Sequence, residues 1–194
     1  MGFYDEEKTA REYIAMADGY DGGQLIAAMS EHVPQGARVL EIGMGPGKDL
    51  DILGQNYRVT GSDSSRFFVD LYRQAHPDAD LLILDAATLD TDRKFDCIYS
   101  NKVLHHLSQD ELQRSLERQH QLLNDGGHVM HSFWKGDRVE EMHGLKFFYR
   151  TEAQLRSSFE RLYDLICVVA YEELEPDDSI YVLAQRSQVT AIGT

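Results

Sequence analysis

The sequence predicts an α/β fold: a doubly wound, mostly parallel seven-stranded sheet with an antiparallel C-terminal hairpin strand and an N-terminal helical cap. Three observations predict it. From about residue 37 onward, short apolar runs alternate with helix-patterned segments, which implies a parallel sheet covered on both faces. The last two apolar runs are separated only by a short turn-forming stretch, so they pair antiparallel. Residues 1–33 carry helical periodicity instead of strand alternation.

The elements follow in order. Tyr13, Ile14 and Ala17, then Leu25, Ile26 and Met29, mark the helical cap, residues 1–33. The remaining chain, 34–194, reads as one compact unit. Arg38–Ile42 is a strand that ends in glycines, followed by a helical stretch near Gly47–Gln55. Tyr57–Ser62 is the second strand. Ser64 or Ser65 caps the next helix, which aligns Phe68, Leu71, Tyr72 and Ala75 and closes at His76-Pro77. Asp80–Leu84 and Phe95–Ser100 are the third and fourth strands. Ser108 with Glu111 forms a capping box, Leu107 staples onto Leu112, and Leu116 and Leu123 extend the stripe. Asn124-Asp-Gly-Gly127 stops that helix. His128–Phe133 is the fifth strand. Thr151 with Gln154 caps a helix through Leu155, Phe159 and Leu162. Leu165–Tyr171 and Ser179–Gln185 make the closing hairpin across Glu-Pro-Asp-Asp.

Length and charge bound the function. A chain of 194 residues is the size of one domain and buries roughly 70% of its unfolded surface. Its 19 basic and 33 acidic residues leave a net charge of −14. That excess repels phosphate backbones, so no nucleic-acid partner is expected. No apolar stretch approaches the roughly 20 residues that cross a bilayer, and the charged N-terminus lacks a signal core. A cytoplasmic protein without a membrane partner is expected. Cys97 and Cys167 lie in apolar runs and read as reduced, buried thiols. No metal-ligand spacing is visible, and the oligomeric state is left open.

In open parallel sheets, ligands bind where strand carboxyl ends meet helix amino ends. The first such junction carries Gly43, Gly45 and Gly47, which permit a tight turn and close approach of a ligand to bare backbone. Two ligand classes compete for it. A dinucleotide fingerprint spaces its third glycine one residue later, where this chain has Lys48. Glu41, Asp49 and Asp51 would also face a pyrophosphate at that turn. A ligand carrying positive charge suits the same carboxylates.

Glu41-Ile-Gly-Met-Gly-Pro-Gly47 resembles the first motif of the class I S-adenosylmethionine-dependent methyltransferases, (Glu/Asp)-x-Gly-x-Gly-x-Gly, with every defining position filled. The resemblance extends over roughly residues 20–186, and points to the branch that acts on small molecules. It implies S-adenosylmethionine as cofactor, S-adenosylhomocysteine as product and a small-molecule methyl acceptor. Asp63, with Ser64 beside it, ends the second strand 22 residues after Glu41 and is placed to accept from the ribose hydroxyls. By resemblance, Asp85 meets the adenine amino group and the Ala86 amide meets the ring. Backbone around Ser100 and Asn101 faces the methionine end, just before a Leu-His-His-Leu loop that the small-molecule branches share.

Methyl transfer from a sulfonium is an in-line displacement, so the protein must chiefly align donor and acceptor. Some acceptors also need a base. His105 and His106 follow the fourth strand and are the candidates, since histidine titrates near neutral pH. The loop after the fifth strand, with Trp134, His143 and Phe147, and the cap, with Tyr13 and Tyr20, are the expected substrate wall. Trp134 could stack on an aromatic or cationic acceptor. Two other readings stay open at this stage: a nicotinamide-dependent oxidoreductase, and a non-catalytic S-adenosylmethionine-binding protein.

Overall fold

The computed structural model describes residues 7–16, 19–142 and 144–188, apart from the side chains of Ala10, Tyr13 and Met16. Helices α1 (Glu7–Met16) and α2 (Gly23–Ser30) precede strand β1 (Arg38–Ile42). Then come α3 (Lys48–Leu53), β2 (Arg58–Asp63), α4 (Arg66–Ala75), β3 (Leu81–Ile83) and β4 (Phe95–Ser100). A single 3-10 turn at Leu104–His106 leads to α5 (Gln109–Leu122) and β5 (Leu123–Trp134). The chain continues through β6 (Val139–Met142), β7 (Leu145–Phe148), α6 (Glu152–Phe159), β8 (Tyr163–Tyr171) and β9 (Ser179–Arg186).

Seven strands form one sheet in the order β3-β2-β1-β4-β5-β9-β8, and β6 and β7 form a separate two-stranded ribbon. In the large sheet, β9 alone runs against the rest: it is antiparallel to both β5 and β8. Both faces are dry. Along β1, β4, β5 and β9, alternate residues enter two different clusters. Leu40, Ile98, Val129 and Val182 pack with Leu112 and Leu116 of α5 and with Leu155 and Phe159 of α6. Val39, Cys97, Met130 and Leu183 pack with Leu25, Ile26 and Met29 of α2 and with Leu53 of α3. The period of two in the strands sends neighbours to opposite faces, so these strands read as continuous apolar runs. Helix α2 therefore covers the sheet as a core layer.

Both expected capping boxes are formed, Ser108 with Glu111 on α5 and Thr151 with Gln154 on α6. Ser65 occupies the cap position of α4. Three local expectations need correction. Asn124-Asp-Gly-Gly127 does not lie outside the strand: β5 begins at Leu123 and carries these residues as a register shift against Phe95 and Cys97. Gly126, with φ +74°, supplies the irregularity. Leu123 thus joins the core from the strand. The stretch after β5 is the β6–β7 ribbon, closed around Gly144 at φ +80°. Cys97 is buried, but Cys167 is only half-buried.

The turn after β1 depends on glycine. Gly47 has φ +93°, and a Cβ there would lie 2.2 Å from a ring carbon of Tyr72. Gly43, at φ +69°, would place a Cβ 2.5 Å from Val103. Gly47→Ala should therefore lower the unfolding free energy by at least about 1–2 kcal/mol, the scale for forcing an L-residue into the left-handed region. Urea denaturation measures this, and an unchanged midpoint would contradict the packing described.

Candidate active site

The carboxyl ends of β1, β2 and β4 meet at the glycine turn. Four carboxylates gather there. Glu41 is the fourth residue of β1 and is buried. Its Oε2 atom has no hydrogen-bond partner among the described residues. Burial raises its pKa well above the usual carboxylate range, and Asp49, Asp63 and Asp51 push it further in the same direction. The others are held by donors. Asp49 accepts from the Gly22 amide at 2.6 Å, the Tyr99 hydroxyl at 2.7 Å and Asn101 Nδ2 at 3.2 Å. Asp51 accepts from the Tyr72 hydroxyl at 2.5 Å. Asp63 accepts from the amides of Gly45, at 2.9 Å, and Ser65, at 2.8 Å.

The structure thus brings Glu41, Gly43, Gly45, Gly47 and Asp63 together around one turn, with Asn101 bonded to Asp49 of the helix that follows. Ser64 is exposed on the loop after β2. Asp85 is exposed at the end of β3, where its Oδ1 accepts the Ala87 amide at 2.8 Å. The Ala86 carbonyl accepts from Ser115 at 2.5 Å. Ser100 is fully buried and bonds His131 Nδ1 at 2.8 Å.

Beyond Asn101, two further groups line the loop. Lys102 has φ +54° and turns its ammonium inward. It meets Glu173 at 2.7 Å, Ser179 at 2.7 Å and Tyr171 at 3.3 Å. It also lies 3.8 Å from the centre of the Trp134 ring. Burial lowers its pKa, and Glu173 opposes that shift. The cation on this indole face is therefore the chain's own Lys102, which leaves that face closed to an acceptor.

The second group is the histidine pair. His106 Nδ1 lies 2.9 Å from the Lys146 carbonyl of β7. A carbonyl only accepts, so the network assigns the proton to Nδ1. Nε2 of neutral His106 is then an acceptor, and His105 Nε2, 3.1 Å away, donates to it. His105 Nδ1 is left as an unprotonated base. It is buried and has no hydrogen-bond partner among the described residues. Burial depresses both pKa values, with the neighbouring His106 and Lys102 adding to the effect at His105. Phe147 stacks on His105 at 5.2 Å and meets His106 edge-on at 4.7 Å. Both nitrogens of His106 are engaged, so it holds the tautomer of His105.

Tyr20 is exposed on the segment before α2. The Tyr13 side chain and His143 lie outside the described residues. Lys102, His131 and the acceptor role of Asp49 were not singled out from sequence. A polar residue at an apolar strand position, His131 between Val129 and Phe133 in the alternation of one face, is the one signal that could have flagged the second of these. Among the described residues, no three His, Cys, Asp or Glu side chains are grouped as around a metal ion, and no helix is long and apolar enough to cross a membrane.

A methyltransferase-domain family model matches residues 9–172 of the chain. Solved structures share the fold. The 1,6-didemethyltoxoflavin-N1-methyltransferase of Burkholderia thailandensis, with bound 1,6-didemethyltoxoflavin and S-adenosylhomocysteine, superposes with a TM-score of 0.79 at 20% identity, covering 93% of this chain and 85% of that one. The N-methyltransferase NodS of Bradyrhizobium japonicum, in complex with S-adenosylhomocysteine, gives 0.76 at 16% identity over 93% and 98% of the two chains. An S-adenosylmethionine-dependent methyltransferase of Clostridium acetobutylicum gives 0.76 at 12% identity over 92% and 99%.

His131 makes the site's electrostatics testable. Burial lowers its pKa to about 3, below the value near 6.5 of the unfolded chain. As pH falls through 6.5, the unfolded chain binds a proton that the folded chain refuses. Stability is then lost progressively from pH 6.5 toward pH 3, by about 2 kcal/mol at pH 5. Glu41, with its raised pKa, works in the opposite sense. The test is therefore the difference between wild type and His131→Phe, measured by denaturation at pH 7 and pH 5. The variant should lose about 2 kcal/mol less than wild type on that acidification; equal losses would refute the assignment.

Proposed function

The chain belongs to the S-adenosylmethionine-dependent methyltransferases, and from that membership we propose that it methylates a small-molecule acceptor bearing an N–H or O–H proton, with His105 as the base. The observation that carries the proposal is the buried, unpartnered Nδ1 of His105, whose tautomer is set by the His106–Lys146 contact.

The residues at the glycine turn fit the cofactor. Its glycines leave no room for side chains at positions 43 and 47. The buried Glu41 Oε2 lacks a partner, and the carboxylates around it suit an ammonium and a sulfonium. The same carboxylates oppose the pyrophosphate of a dinucleotide. In this reading Glu41 and the backbone at Ser100 and Asn101 hold the methionine end. Asp63 and Ser64 hold the ribose, and Asp85 and the Ala86 amide hold the adenine. When bound, S-adenosylmethionine supplies an activated methyl group. The chain's part is to align the acceptor with it and to take the acceptor's proton.

His105 Nδ1 is shielded from water, so a donor brought to it meets no competing solvent. Phe147 of the β6–β7 ribbon stacks on the His105 ring. The proton taken up at Nδ1 is balanced by passing the Nε2 proton to His106, the less buried ring. Phe147 and the edge of Trp134, which flank His105, are the proposed wall, with Tyr20, Tyr13 and His143 as further candidates. The small-molecule assignment draws support from the Burkholderia structure, which holds a small heterocycle, and from the net charge of −14, which disfavours nucleic acid. A cytoplasmic location belongs to the same proposal.

The experiment is methyl transfer from labelled S-adenosylmethionine to a panel of phenols and ring N–H heterocycles. An acceptor should be found, and His105→Gln should lower kcat on it by about a hundredfold or more while S-adenosylhomocysteine affinity holds. Full activity in the variant would contradict the role of His105.

A further inference from the structure

Four polar side chains are sealed between the sheet and α5, and none belongs to the hydrophobic clusters that surround them. Ser100 on β4, His131 on β5, and Ser115 and Gln119 on α5 are all fully buried. Ser100 and His131 are register partners across neighbouring strands. Ser115 and Gln119 are one helical turn apart. Together they make one continuous chain of hydrogen bonds. Ser100 Oγ meets His131 Nδ1 at 2.8 Å, and His131 Nε2 meets Gln119 Oε1 at 2.8 Å. Gln119 Nε2 donates to Ser115 Oγ at 3.1 Å, and Ser115 Oγ donates to the Ala86 carbonyl at 2.5 Å.

The last carbonyl sets the direction of the whole chain. It only accepts, so the Ser115 hydroxyl must donate to it and accept from the Gln119 amide. The Gln119 oxygen then accepts from His131 Nε2, and His131 Nδ1 accepts from Ser100. One arrangement of protons satisfies every link. Burying four such groups is costly unless all are satisfied, and an apolar filling would hold the layers together as well. What an apolar filling would not do is orient the peptide between Ala86 and Ala87. Ser115 holds its carbonyl, and the Asp85 carboxylate accepts its amide at 2.8 Å. Turning that peptide would turn the Asp85 carboxylate with it.

We infer that the Ser100–His131–Gln119–Ser115 chain is a positioning device that fixes the Ala86–Ala87 peptide, and through it the Asp85 carboxylate, for recognition of the adenine amino group. The inference rests on the cofactor reading above. It makes His131 and Ser115 positioning residues, since each bonds a residue of the proposed cofactor segments, Ser100 or Ala86, and acts on the ligand only through it. It also links the two ends of that site: Ser100 stands where the methionine end is expected, and Asp85 where the adenine is expected.

The test compares S-adenosylhomocysteine with S-inosylhomocysteine, in which a carbonyl replaces the amino group at C6. Dissociation constants are measured calorimetrically for wild type, Ser115→Ala and His131→Leu, with thermal unfolding as a control on folding. Ser115→Ala removes the terminal donor and places the best helix former on α5, so it stays folded even where His131→Leu does not. Wild type should prefer the adenosyl compound by about tenfold or more, the scale for a hydrogen bond to a carboxylate. The variants should bring that preference within about threefold. Variants that bind both compounds more weakly but keep the wild-type ratio would overturn the inference, because a merely structural role moves both affinities alike. A wild type that binds both compounds equally would overturn it too, through Asp85. A wild type that binds neither would overturn the cofactor reading and this inference with it.

Discussion

One carboxylate holds two chain reversals at once. Asp63 accepts the Gly45 amide on one oxygen and the Ser65 amide on the other. The first bond fixes the turn after β1, and the second fixes the start of α4 after β2. Charge-assisted bonds of this kind are stronger than neutral ones, so the crevice between the two strands has a defined floor. The rest of the site is arranged around that constraint. With one anion in place, further carboxylates nearby must be neutralised or given donors. Asp49 receives three and Asp51 receives the Tyr72 hydroxyl. Glu41 receives none at Oε2, and its pKa rises. A donor or a positive charge brought to this turn would therefore be stabilised.

The far side of the crevice answers to a different constraint. Its two basic groups are internal. Lys102 is surrounded by Glu173, Ser179, Tyr171 and the Trp134 face, and the histidine pair is kept neutral by burial. The protein thus supplies its own cation beside Trp134, while at the glycine turn Glu41 Oε2 has no hydrogen-bond partner among the described residues. The β6–β7 ribbon fixes the histidine pair, because the Lys146 carbonyl sets the His106 tautomer and Phe147 stacks on His105. A methyl donor with positive charge and a neutral, proton-bearing acceptor fit this division.

Most of the sheet was legible because its strands are buried on both faces and so stand out as apolar runs. The capping boxes at Ser108 and Thr151 were legible because their partners lie three residues away. The glycine turn was legible for a similar reason: backbone conformation alone demands the residues at 43, 45 and 47. What escaped was exposed or long-range. The strands Val139–Met142 and Leu145–Phe148 are four residues each, with Val139 and Met142 largely exposed, so they lack a buried face to pattern. The His-Gly pair between them was the available sign, since glycine is favoured in two-residue hairpin loops. The start of β5 was hidden by a glycine pair that imitates a helix stop. In the site, Leu-His-His-Leu marked the right loop, but not which ring is free. That depends on a carbonyl forty residues away on β7. The Ser100–His131–Gln119–Ser115 chain likewise joins three elements, and no local pattern announces it.

The central claim is that the acid-lined turn takes an adenosyl ligand with a cationic tail and refuses a dinucleotide. Thermal unfolding with S-adenosylmethionine, S-adenosylhomocysteine and NADH, each in large excess, tests it most directly. At about 100 times its dissociation constant, a ligand specific for the folded chain adds roughly 2.7 kcal/mol. For a domain of this size that is a rise of roughly 5–11 °C in Tm. Both adenosyl compounds should give that rise, and NADH none. No rise with the adenosyl compounds at millimolar concentration, or a rise with NADH alone, would contradict it.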